Sequence, residues 1–164
     1  MQEYIKYSIV LLILVIVQKS LMWLIAITDY QITPDIVLIG LVYIGIKKGK
    51  ITGSVGGFIF GMLFDILSFS FLGLMALSKT TAGFAAGFFN NENKIERYLN
   101  TYIFVLIVFL CSIFNNIIYF ALYFQGTSLL FQDIVLKYVI PTALYTAFFG
   151  IIPIILTRKK IIGR

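Results

Sequence analysis

The chain has 164 residues, of which 60% are apolar and 12% charged, with a formal charge of +6 and a mean hydropathy of +1.00. Water-soluble domains of this size are not so apolar, so the bilayer takes the place of a buried core and the whole chain reads as one integral membrane domain. The lack of histidine and the single cysteine, Cys111 inside an apolar run, remove the usual zinc, haem and Cys/His catalytic sets and any intrachain disulfide, and basic residues that lie between apolar segments rather than on one face argue against nucleic acid.

Six apolar segments are predicted as helices, at 4–28, 34–46, 51–69, 71–89, 99–124 and 134–157. The first follows a short N-terminus with Lys6, is too long for a signal-peptide core, lacks an A-x-A cleavage pattern and is expected to be retained. The second is short and opens with Pro34, a favoured first helical position. A five-helix count is the alternative, but the loops favour six. Lys47, Lys48 and Lys50 fall in the second connection, Lys94 and Arg97 in the fourth, and Arg158, Lys159, Lys160 and Arg164 in the tail, whereas the odd connections have no basic residue outside the apolar runs. By the positive-inside rule both termini and the even connections face the cytoplasm. The fourth connection, 90–98, reads as a solvated turn, with a contact site for a cytoplasmic partner as the sharper alternative. The fifth, 125–133, could lie in the membrane interface.

The third segment carries Gly49, Gly53, Gly57 and Gly61 at every fourth position, with Asp65 one turn later. Each glycine costs a helix about 1 kcal/mol in water, while in lipid small residues let helices approach closely. Ala82, Gly83, Ala86 and Gly87 on the next segment form a companion set. Packing within the chain is the favoured reading of the row, with its Gly49 and Gly53 end as the candidate docking surface for a partner's helix.

Polar groups interrupt the apolar segments at Gln18, Lys19, Asp35, Asp65, Lys79, Asn115, Asn116 and Lys137. In a helical hairpin Asp65 and Lys79 flank the same outward turn, and pairing would spare both the cost of lying alone in hydrocarbon. Lys19 is predicted to meet Asp35 across a short loop. Lys137 stands four residues after Asp133 on one helical face and should anchor there. At least one of Asn115 and Asn116 must face protein, because adjacent positions point about 100° apart. A proton relay would need more carboxylates near the midplane than Asp35 and Asp65 supply. No catalytic motif, phosphate loop or metal-ligand set is present, so neither enzyme activity nor a cofactor is expected.

Thr33-Pro34-Asp35 before an apolar helix, the stretch Gly57-Phe58-Ile59-Phe60-Gly61-Met62-Leu63-Phe64-Asp65, then Leu72-Gly73 and Leu77, together resemble the rod shape-determining MreD family. The likeness covers mainly residues 33–87. Many relatives carry arginine where Thr33 stands, and Lys79 is not part of the family pattern. The resemblance implies a noncatalytic membrane subunit of the bacterial cell-elongation machinery. Its partners would be the bitopic protein MreC, the glycosyltransferase RodA, a penicillin-binding transpeptidase and the actin-like MreB. It also implies a six-helix fold similar to the substrate-binding subunits of energy-coupling-factor transporters, which supplies the alternative function, capture of a vitamin or metal. On that contrast a transporter subunit should have a polar pocket and a scaffold none.

Overall fold

A computed structural model describes residues 2–25, 32–69, 71–127 and 130–155. They form an all-helical bundle: α1 (Gln2–Ile25), α2 (Ile36–Lys48), α3 (Lys50–Ser68), α4 (Leu74–Ala86), a short α5 (Ile95–Asn100), α6 (Ile103–Tyr123) and α7 (Phe131–Ile155). By length and composition α3, α6 and α7 can each cross a membrane.

The bundle is organised around α2, which is apolar all round because neighbours cover both its sides. Val37, Leu41 and Ile44 pack with Leu11 and Val15 of α1 and Phe60 and Phe64 of α3. Leu38, Val42 and Ile46 pack with Ala82 and Ala86 of α4 and Phe104, Ile107, Val108 and Cys111 of α6. The outward faces, with Ile9 and Ile13 of α1, Phe58 of α3 and Phe114 of α6, are exposed and apolar, as a lipid-facing surface must be.

Helix ends differ from the predicted ones for local reasons. Pro34 does not open α2: Asp35 is the N-cap, its Oδ1 accepting the Leu38 N–H at 3.0 Å, and the helix begins at Ile36. Gly49 alone joins α2 to α3, and the fold of two helices over one residue needs its φ of 88°. The segment predicted from 99 is broken at Thr101, which is extended. Leu99 and Phe104 are both in the core; five residues apart, they would point about 140° from each other in one unbroken helix. In α7, Val135–Val139 form a π-helical turn just before Pro141, where the missing proline N–H leaves the preceding ladder one donor short.

One end of the bundle is basic. Glu3 of α1 pairs with Lys48, and this hydrogen bond from Lys48 holds the Glu3 carboxyl below its ordinary range while raising Lys48. Lys47 lies 5.7 Å from the ring centre of Tyr7 and 5.8 Å from that of Tyr43. The expected determinants Arg158, Lys159 and Lys160 lie outside the described residues, as do residues 26–31 of the first connection.

Candidate functional site

At the end of α2 opposite the basic one lies a cavity of about 400 Å³. Its polar lining comes from Gln18 of α1, Thr33 and Asp35 at the head of α2, Asn115 and Asn116 of α6 and Thr142 of α7. Its aromatic wall is Tyr119, Phe120, Tyr123 and Phe124 of α6 with Tyr138 of α7. Spacing of four residues stacks Tyr119 on Tyr123, with ring centres 5.6 Å apart, and Phe120 on Phe124 at 6.0 Å; Tyr138 closes on Phe124 at 4.8 Å.

Asp35 sits at the edge of this cavity and ties three helices together. Its Oδ2 accepts from the Lys79 ammonium of α4, its own N–H donates to Thr146 Oγ1 of α7 at 3.0 Å, and that hydroxyl donates to the Thr142 carbonyl at 2.8 Å. Lys79 is wholly buried, so the pair exists because neither charge could be left alone there. This corrects the expected Asp65 to Lys79 pair. The α3–α4 register sets Ala76 against Gly61 and Lys79 against Gly57, so Lys79 lies about two helical turns from Asp65 along the hairpin and its ammonium meets Asp35 instead.

Asp65 is also buried, and its charge is met by backbone. Its Oδ2 accepts the N–H of Gly73 at 2.9 Å and of Ala76 at 3.2 Å, and its Oδ1 that of Met75 at 3.1 Å. These are N–H groups at the start of α4, which have no acceptor within their own helix and carry the positive end of its dipole. The signal in the sequence was the spacing from Asp65 to Gly73, which brings the chain back after a tight turn. Lys19 does not reach Asp35. Its ammonium lies 5.2 Å from the ring centre of Phe64, and the neighbouring Gln18 approaches α2 instead, its Oε1 accepting the Val37 N–H at 2.9 Å.

Asn115 and Asn116 are both buried. Asn115 Nδ2 donates to Asn116 Oδ1 at 3.1 Å, and Asn116 Nδ2 reaches Ser112 Oγ and the Val139 carbonyl, each at 3.4 Å. That carbonyl belongs to the π-helical turn. Asn115 Oδ1 accepts no hydrogen bond among the described residues; in a buried position such an acceptor costs about 1–3 kcal/mol until a donor arrives. Lys137 pairs with Asp133 at 3.3 Å on the surface, as the four-residue spacing predicts.

The glycine row is filled from within the chain. A Cβ on Gly53 would strike the carbonyl of Gly83, on Gly57 that of Lys79, and on Gly61 the Ala76 backbone at 2.6 Å. Gly83 and Gly87 return the contact, meeting Gly53 and Lys50, while Ala82 and Ala86 turn to α2 and α6. The Gly53 end is therefore not an open docking surface, and Gly49 serves the turn.

Sequence reasoning did not foresee the cavity. Its lining is scattered over α1, the 32–35 stretch, α3, α4, α6 and α7. Among the polar side chains of the later helices, Asn115, Asn116 and Thr142 line it, with Thr146 bonded to Asp35 at its edge, and no spacing in the sequence marks its aromatic wall. On the contrast drawn from the sequence, a polar pocket belongs to the transporter reading, and this cavity falls on that side of it. No group of histidine, cysteine or carboxylate side chains that could hold a metal occurs among the described residues.

Neither a curated protein nor a solved structure matches the chain. A family model described as rod shape-determining protein MreD matches residues 1–159. With that match over nearly the whole length, and helices apolar enough to span a bilayer, this membrane protein belongs to the MreD family, whose role is in the determination of rod shape.

Proposed function

We propose that the chain is a noncatalytic scaffold of the bacterial cell-elongation complex, crossing the inner membrane six times with both termini in the cytoplasm. An MreC-like bitopic protein is its direct partner, and through it a RodA-type glycosyltransferase, a penicillin-binding transpeptidase and MreB-like filaments are gathered. The family match supports the pathway, and the alternation of basic and nonbasic loops supports the orientation. The docking surface is the cavity at the far end of α2, because the glycine row is occupied by α4 and the cavity offers polar groups beside an aromatic wall. Under this topology the cavity faces outward. A partner with one membrane helix presents there the chain leaving that helix, whose backbone carries donors and acceptors for the polar lining.

Copurification with the MreC-like protein tests this. Tyr123→Ala and Asn115→Leu should leave abundance unchanged and lose the partner. Full partner recovery with both substitutions combined would sink the reading.

A second reading, the substrate-binding subunit of an energy-coupling-factor type transporter, draws on the same cavity, since about 400 Å³ falls within the range of small-molecule sites. A vitamin-sized molecule or metal released on denaturation of the purified protein would favour it over the scaffold.

A further inference from the structure

A second concavity lies on the other side of the molecule. Two apolar hollows of about 250 and 520 Å³ run between α1 and α3 and share Ser8, Ile59 and Phe60, so they form one cleft. Tyr4 and Tyr7 line its basic end, and Leu12 and Ile66 its far end. From Tyr4 to Leu12 is about 12 Å of helix and from Ile51 to Ile66 about 22 Å, which brackets the roughly 15 Å of hydrocarbon in one leaflet. Lys47 and Lys48 stand over the tyrosines at the mouth. Glu3, the carboxylate beside them, is taken by Lys48, while Lys47 is exposed and pairs with no carboxylate among the described residues. The mouth is thus left with a net positive charge, and tyrosines with polar tips and apolar bodies sit at that level, as they do at membrane interfaces.

We propose that this cleft is a binding site for an anionic diacyl phospholipid, with the acyl chains between α1 and α3 and the phosphate at Lys47. An apolar slot of one-leaflet length with a surplus cation at its mouth selects that chemistry over a zwitterionic lipid. It is independent of what docks at the far cavity.

Native mass spectrometry of the full chain, released from mild detergent in equal phosphatidylglycerol and phosphatidylethanolamine, tests the assignment. Wild type should retain phosphatidylglycerol about fivefold over phosphatidylethanolamine, the preference expected from one lysine at a membrane surface. Lys47→Gln should bring the two to parity. Lys50→Gln should leave the preference intact, because Lys50 lies over Phe88 of α4. Ser8→Phe, which fills the exposed cleft, should reduce both adducts with an unchanged melting temperature. Equal retention by wild type, or an undiminished preference in Lys47→Gln, would overturn the proposal. So would a photocrosslinker at position 8 that captures a protein helix and no lipid.

Discussion

The α3–α4 seam and the cavity at the head of α2 are built from opposite materials. The seam is backbone against backbone, glycine on glycine, with no space for a methyl group. The cavity is side chains around a void, with an acceptor left unanswered. Close packing in lipid gives rigidity through van der Waals contact alone, whereas a void edged with polar groups leaves part of its hydrogen-bonding capacity unmet by the fold. The first region holds the molecule in shape, and the second is where the proposed partner would dock. Lys79 belongs to both: its carbonyl is the surface on which Gly57 rests, and its ammonium pairs with Asp35 at the cavity.

That dual membership makes Lys79→Met the sharpest way to break the contrast. It strands the Asp35 carboxylate in the bundle, at an expected cost of about 3–5 kcal/mol. The double variant Asp35→Asn with Lys79→Met should recover part of that loss in detergent melting, and strictly additive losses would show that the pair is not coupled. Gly57→Leu attacks the seam through the Lys79 backbone and should cost about 3 kcal/mol, the upper part of the overpacking range, since backbone cannot step aside. Low abundance in the membrane would report it.

Asp65→Asn keeps an acceptor for the start of α4 but loses the charge that strengthens those bonds, and should lower stability by about 1–2 kcal/mol. Asn115→Leu removes the unanswered acceptor and with it the Asn116 bond, so the two effects offset and melting should move by less than about 1 kcal/mol. That near neutrality would mark the cavity as dispensable for folding, and a large loss would make it part of the core.

The smallest effect is expected from Glu3→Gln at the basic end. The folded Glu3 carboxyl lies below its ordinary value of 4.5, so its contribution is present above that pH and is lost as the pH falls through the folded value. The raised Lys48 contributes below its ordinary 10.5 and loses that contribution as the pH rises through its folded value. Melting temperatures of wild type and Glu3→Gln should therefore differ slightly at pH 7 and converge in acid.

What could be read from the chain follows the range of the interactions involved. Four-residue glycine spacing declares a packing face by itself, and Gly83 and Gly87 on the next helix identify what it meets. Choosing partners for buried charges needs the register of one helix on the next, which the charges do not encode, so Lys79 meets Asp35 rather than the expected Asp65. Asp65 found backbone donors eight to eleven residues on, and no pattern of side-chain charges encodes such partners. The cavity was least legible because each wall supplies one or a few residues and the void between them is a property of assembly.

The brevity of α2 has a consequence for the charge at its head. Its 13 residues rise about 20 Å, against a hydrocarbon layer of about 30 Å. The missing third or so lies at the Asp35 end, where the preceding Thr33-Pro34 stretch replaces helix and the cavity takes the remaining space. Irregular backbone at membrane depth is tolerated only beside protein or water, and the cavity walls from α1, α6 and α7 stand beside this stretch. Asp35 lines the cavity while its partner Lys79 is wholly buried, so the shortened helix leaves the charge at its N-cap to be matched from inside the bundle.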